Sequence, residues 1–368
     1  MKKFLRTAAL LFLATCIAGP IFAGAQKEPG TGTAAKPYSV ALLIPYLGDQ
    51  SFFDLAAAGI AEINKTLPDI KTRIIEIGTD DSKWESYFFD AAEQGYDVIL
   101  SCNWQIAPHL NAAAKQYPNQ KFINFDIETS PELPNVYSMF YATNEIGYLC
   151  GVVAAAATTS KMPQANPQAV IGFIGGMDIP GINDFMVGYV EGARSVNPNI
   201  KVAVSYVGGF QDVATAKEIA LNQYKSGCDV IFACAGNAGN GVIDAAKELN
   251  QYVIGVDSDQ ALLFKSSDPV KSGRIITSGY KTIDKTILLA VQKAKEGSLS
   301  WGEHVKYSYK DAGVGIAKNE FYEAALTPEV KDAVQAQENK LKSGTVNIPS
   351  AFDMEAGAVS AFRDAVKP

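Results

Sequence analysis

The chain has 368 residues, enough for two domains with separate cores, and 48% of its residues are hydrophobic. Its formal net charge of −7 argues against nucleic acid or an anionic membrane surface as partner, since either would call for a basic patch. Beyond the N-terminal segment no apolar run approaches the roughly 20 residues of a transmembrane helix; residues 150–157 fall short.

Met1-Lys2-Lys3-Phe4-Leu5-Arg6 is a basic start, residues 7–19 are apolar, and Ala23-Gly24-Ala25 is an A-x-A cleavage signal. Residues 1–25 thus have the pattern of a secretory signal peptide. Leu13-Ala14-Thr15-Cys16 is a competing lipoprotein box, but Thr beside Cys16 and the apolar start it would leave count against it. Cleavage after Ala25 leaves 343 residues; the lost segment holds three Lys/Arg and no acids, so the net charge falls from −7 to −10. Residues 26–37, rich in Gly, Thr, Ala and Lys, are a polar leader or tether.

Alternating strand and helix patterns follow. Strands are expected over 40–45, 71–77, 95–102 and 121–125, with helices over 52–67, 82–93 and 107–116 between them. Asn103-Trp104-Gln105 is the loop after the third strand, and Asp126 the tip of the fourth. Residues 136–143 lead into a small, apolar helix over 146–159. A second series then begins at Val170, with Phe185 just inside its first helix.

Residues 227–260 hold a complete βαβ unit: a strand to Cys234, a glycine-rich turn over 236–241, a helix over 242–249, and a strand ending at Asp257. Parallel βαβ units bring the carboxyl ends of their strands to one edge, so Gly236, Asn237 and Asp257 should face one crevice. The unit repeats an earlier stretch. Gly95 to Cys102 matches Gly227 to Cys234 at an offset of 132, Asp126 matches Asp257 at 131, and Phe52 matches Phe185 at 133. Three matches at nearly one offset indicate a duplicated α/β lobe. A strand over 274–280, a helix over 282–295, a strand over 301–309 and a polar helix over 327–342 complete the chain.

No catalytic motif emerges. His109 and His304 lie in no H-E-x-x-H pattern, there is no G-x-S-x-G elbow, and no metal or cofactor is expected. Cys102, Cys150, Cys228 and Cys234 lack C-x-x-C spacing and are expected as buried thiols, with a disulfide left open. The turn at 236–241 invites a phosphate-loop reading, but it is neither G-x-G-x-x-G nor followed by Lys-Ser/Thr. Its glycines are expected to permit a tight turn. Asp126 and Asp257 suit hydrogen-bond acceptors for a ligand, acid/base groups or helix caps. Phe52 and Phe185 suit either a two-sided aromatic clamp or first-turn core residues.

The chain resembles the basic membrane protein family of ABC-transporter substrate-binding proteins, whose best-known members are purine nucleoside receptors. The residues that carry the resemblance are Asp49-Gln50-Ser51-Phe52, 122–126, 144–151, Gly175-Gly176, Phe185 with 188–192, 227–231 and 254–260. It implies an α/β protein of the type I periplasmic-binding-protein fold, with two Rossmann-like lobes about a hinged ligand cleft. On this resemblance the N-terminal lobe takes 38–142 plus about 275–308, and the C-terminal lobe 143–274 plus about 309–368.

It also implies that Phe52 and Phe185 stack on a base, Asp126 contacts it, Asp257 and Lys281 hold a ribose, and Gly236 offers backbone groups. Asp49 falls in the first of these motifs, and Asn237 follows Gly236 in the turn of the βαβ unit. Where the family commonly shows Asp-x-Ser-Phe-Asn, this chain has Phe53, which is expected to replace a polar anchor with apolar surface. Trp104 is expected to add a wall. The implied role is an envelope or periplasmic receptor that hands a nucleoside or nucleobase to an ABC permease. A sugar receptor of the same fold, a nucleoside hydrolase using Asp126 or Asp257, and an adhesin or signalling receptor are the rival expectations.

Overall fold

The computed structural model describes residues 36–127, 133–355 and 357–368; the expected signal segment, Cys16 and nearly all of the expected leader lie outside them. From its start the described chain runs β1 (Ser39–Ile44), α1 (Phe52–Thr66), β2 (Lys71–Glu76), α2 (Trp84–Glu93), β3 (Val98–Cys102), α3 (Ala107–Gln116), β4 (Lys121–Phe125) and β5 (Val136–Tyr141). These strands lie parallel in the order β2-β1-β3-β4-β5. A second series follows: α4 (Thr143–Thr158), β6 (Val170–Gly175), α5 (Pro180–Val196), β7 (Lys201–Tyr206), α6 (Val213–Lys225), β8 (Cys228–Cys234), α7 (Gly239–Leu249), β9 (Tyr252–Asp257), α8 (Gln260–Phe264), α9 (Pro269–Ser272) and β10 (Ile275–Lys281). Its order, β7-β6-β8-β9-β10, repeats the first.

The chain then goes back to the first sheet with α10 (Ile283–Lys295) and β11 (His304–Tyr307), the latter parallel to β5. It crosses once more to β12 (Val314–Ile316), antiparallel to β10, and to α11 (Glu320–Ala325), α12 (Pro328–Ser343) and α13 (Ala358–Asp364). The lobes are therefore joined three times, at 142–143, at Thr282 and over 308–313. Backbone bonds tie the crossovers: Ala142 N donates to Tyr307 O and Thr282 N to Gly313 O, both at 2.9 Å. Both sheets belong to one unit spanning Pro37–Pro368.

Why these strands form is plain from β8, seven consecutive buried residues, CDVIFAC. A parallel strand covered by helices on both faces reads as a continuous apolar run, not an alternating one. β1 has the same character, with Val40 to Ile44 all buried.

Three expectations need correction. The strand at 275–281 pairs with β9 and so belongs to the second lobe. The first lobe's return begins after it, at α10, rather than at about 275. The region expected as one strand over 301–309 is a short strand, β11, followed by a crossover and the three-residue β12. The glycines at 236–241 are also not one turn: only Gly236 has positive φ, at 54°, and α7 already starts at Gly239. A Cβ on Gly241 would lie 2.0 Å from Val213 O on α6, so this glycine lets two helices touch.

The closest such approach is between α4 and α5. A Cβ on Gly147 or Gly151 would lie 2.0 Å from the carbonyl oxygens of Phe185 or Tyr189. Reciprocally, a Cβ on Gly188 would stand 2.0 Å from Asn144 O and one on Gly192 1.9 Å from Tyr148 O. Two glycine pairs, each spaced four residues apart, thus face each other and bring backbone onto backbone. Just before Phe185, the buried Asp184 carboxylate accepts from Thr143 Oγ1 (2.6 Å), Asn144 N (2.8 Å), Ser350 Oγ (2.6 Å) and Ala351 N (2.9 Å). One side chain therefore ties α5 to the first crossover and to the C-terminal tail.

Candidate ligand-binding site

The strands of both sheets end at the interlobe cleft, and each lobe delivers a carboxylate there in the same way. Asp126 follows β4 and Asp257 ends β9, and both have φ of 64°. Asn103 and Gly236, after β3 and β8, match at 55° and 54°. Asp, Asn and Gly tolerate this left-handed region better than other residues, which is why they occupy these tips. The duplication seen in sequence is thus repeated in backbone conformation.

Lys281, at the end of β10, is buried between the two acids. Its Nζ lies 2.7 Å from Asp126 Oδ1 and 3.5 Å from Asp257 Oδ1. The ammonium also stands over two aromatic faces, 5.1 Å from the Phe52 centroid and 5.2 Å from that of Phe185. Burial works against its charge, but the carboxylates of Asp126 and Asp257 more than offset this and hold its pKa above the ordinary value. Burial pushes the Asp126 carboxyl up; Lys281 opposes that shift in part, and Asp257 adds to it.

Further contacts bring the lobes together around this centre. Ser51 Oγ donates to Asp257 Oδ2 at 2.7 Å, Ser258 Oγ donates to Ser51 O at 3.3 Å, and Gln260 Nε2 donates to Gln50 O at 3.1 Å. Asp257 is no helix cap: Asp259 caps α8, accepting from Leu262 N. The sequence does not single out Ser51, Ser258 or Gln260 as contact residues, although Ser51 adjoins Phe52, Ser258 adjoins Asp257, and Gln260 closes the 254–260 motif. Beside the cluster lies a cavity of about 1010 Å³ whose walls include Gln50, Asp54, Asp257, Lys281, Tyr309 and Glu338.

Not every expected residue meets the cluster. The carboxylate of Asp49 accepts from Ser51 N (3.1 Å), Phe53 N (2.9 Å) and Asp54 N (3.0 Å), so it anchors the start of α1 instead of facing a ligand. Those orphan N–H groups at a helix start are what a buried acid there can satisfy. Phe53 is also displaced from its expected role. It is buried against Tyr46 and Phe52, with centroids at 5.0 and 5.3 Å, because it lies about 100° round the helix from Phe52. It backs the Phe52 ring and adds no surface to the cleft.

Trp104, 43% exposed, sits on the loop after β3 and makes none of the bonds described above. Gly236 lies against the Phe210 ring, and Asn237 Oδ1 accepts from Asn240 Nδ2 at 3.1 Å. Both stay at the β8 tip, next to the strand that carries Asp257. Phe185 is buried and meets Phe232 edge-on at 6.1 Å, and Phe52 meets Phe125 at 5.9 Å. Each ring of the pair is thus braced from its own lobe.

Cys102, Cys150, Cys228 and Cys234 are free and buried. Among the described residues no group of three His, Cys, Asp or Glu side chains is placed to hold a metal ion. No helix among them is long and apolar enough to cross a membrane. What the cluster can do is receive a flat ring between two aromatic faces, with a carboxylate from each lobe to accept N–H or O–H groups.

A family model described as ABC transporter substrate-binding protein PnrA-like matches residues 39–351. The ABC transporter nucleoside-binding protein BmpA of Lactococcus lactis subsp. cremoris is 36% identical over 279 residues, covering 73% of this chain and 76% of its own. A CD4+ T-cell-stimulating antigen of Listeria innocua is 28% identical over 375 residues, covering 95% and 99%. The crystal structure of an ABC transporter solute-binding protein from Aeropyrum pernix superposes with a TM-score of 0.75 at 25% identity, over 90% of this chain and 97% of that one. The match over nearly the whole described body, on this two-lobed frame, places the chain in the PnrA-like family of ABC transporter substrate-binding proteins.

Proposed function

We propose that the protein is exported by its N-terminal segment, binds a purine nucleoside or related nucleobase compound in the interlobe cleft, and presents it to an ABC permease without chemical change. The single observation that carries this reading is that Phe52 and Phe185, one from each lobe, face a common point about 5 Å from either ring. A base fits such a slot, with Asp126 accepting its N–H groups and Asp257 and Lys281 serving the ribose hydroxyls. The name of the Lactococcus relative agrees with this ligand class.

Closure follows from where these groups sit. Phe52, Ser51 and Asp126 belong to the first lobe, and Phe185, Asp257 and Lys281 to the second. A ligand touching both sets favours the closed arrangement through its differential affinity. The family model and the Lactococcus relative are described as binding proteins of ABC transporters, and the proposal assigns no catalytic residue.

Calorimetry with purine and pyrimidine nucleosides, free bases and monosaccharides should show heat with purine compounds and none with sugars. Chromatography of the same samples over hours should show the nucleoside intact. Heat only with a monosaccharide would sink the nucleoside reading, and accumulating free base and ribose would make the protein a hydrolase.

A further inference from the structure

The slot between Phe52 and Phe185 is built around a positive charge. Lys281 Nζ occupies it, facing both rings at 5.1 and 5.2 Å, with Asp126 Oδ1 at 2.7 Å. Aromatic faces carry the negative part of the ring quadrupole, and two of them around one cation, away from water, make a cation-selective cage. With both acids ionised, Asp126, Asp257 and Lys281 sum to a charge of −1. Asp257 has its own donor from the other lobe, Ser51 Oγ at 2.7 Å, whereas Asp126 has Lys281 as its cation.

A base entering the slot must move the ammonium out of it. If the base is neutral, Asp126 loses its counter-charge and the two π faces lose their cation. If the base carries a fixed positive charge, both are restored in place, and the cluster is neutralised while Lys281 stays with Asp257.

Resting on the nucleoside reading above, we infer that this site selects cationic purine nucleosides, those methylated on a ring nitrogen so that the base bears a permanent charge, over their neutral parents. Methylation at N7 is the favourable case, because it leaves the N1–H and exocyclic N–H groups free for Asp126. Phe52, Phe185 and Asp126 together determine this preference.

The test is calorimetric titration of the full-length protein, freed of bound ligand by denaturation and refolding, with three nucleosides. They are guanosine, 7-methylguanosine and 7-deaza-7-methylguanosine, the last having the same outline without the charge. The buffer is set on the acid side of neutrality, where the methylated ring keeps its N1–H. The cationic compound should bind about tenfold more tightly than either neutral one, the size expected of a desolvated cation over aromatic faces. In Asp126→Asn the ratio between cationic and neutral ligands should shrink towards one.

Equal or weaker binding of 7-methylguanosine than of its neutral isostere overturns the inference while leaving the nucleoside reading standing. No heat with any of the three also overturns the inference, and the nucleoside reading is then decided by the wider panel of purine nucleosides and bases.

Discussion

Asp257→Ala should weaken ligand binding by about 100-fold or more, on the scale of losing two charge-assisted hydrogen bonds. The residue has two duties at the cleft. One oxygen holds Ser51 of the opposite lobe at 2.7 Å, and the other faces Lys281 at 3.5 Å. Its removal therefore takes away a proposed ligand acceptor and an interlobe bond together. The lobe itself should survive, because Asp257 ends β9 and caps no helix, and Lys281 keeps Asp126. Calorimetry beside a thermal melt separates the two effects; unchanged affinity, or lost affinity accompanied by unfolding, would contradict the assignment.

The second large effect lies away from the cleft. Gly188→Ala should cost about 3 kcal/mol or more, at the upper end of overpacking penalties. Its new methyl would stand 2.0 Å from Asn144 O, a backbone atom on a buried helix that has no flexible end to move aside. The melting temperature should fall by about 4 °C or more. Gly181→Ala, in the first turn of the same helix, meets nothing within 4 Å and serves as the control. It should leave the melt unchanged or slightly raised, as expected for Ala over Gly in a helix. If both variants melt alike, close packing of α4 on α5 is not what makes Gly188 necessary.

The two results are linked through Phe185. It lies three residues before Gly188 on α5, one residue after Asp184, and its own carbonyl oxygen is the atom pressed against Gly147. The ring's place in the cleft is therefore set by a glycine crossing and by a carboxylate that also holds the first crossover and the tail. Forcing the helices apart should move Phe185 away from Phe52 and weaken binding as well as stability.

How much of this was legible in the sequence depends on the range of the interaction. The duplicated βαβ unit and the strand tips Asp126 and Asp257 are local patterns repeated at nearly one offset, and the structure repeats them in strand order and backbone conformation. Phe52 and Phe185 match less closely, since Phe52 opens α1 whereas Phe185 is the sixth residue of α5. Asp49 was visible as part of a motif, but a motif does not tell a capping acid from a contact acid; only its three N–H partners do. Phe52 and Phe53 are neighbours in sequence, and which one faces the cleft depends on where α1 begins.

The lobe to which β10 belongs could not be read off the chain order, because a strand carries no label for its sheet until its partner is known. Its pairing with β9 decides it. The Ser51–Asp257 bond spans 206 positions, and the α4–α5 contact needs both helices in hand before either glycine pair has meaning. A three-residue strand such as β12 gives no periodicity to detect.

The central claim, that the cleft takes a purine compound between Phe52 and Phe185, is tested most directly by what the protein selects from a mixture. The protein is incubated with equimolar purine and pyrimidine nucleosides, free bases and monosaccharides, desalted, denatured, and its supernatant read by mass spectrometry. A purine nucleoside or base near one equivalent per chain is the expected result, reduced to background in Phe185→Ala. Recovery of a monosaccharide, or of the purine in equal amount from Phe185→Ala, would contradict it.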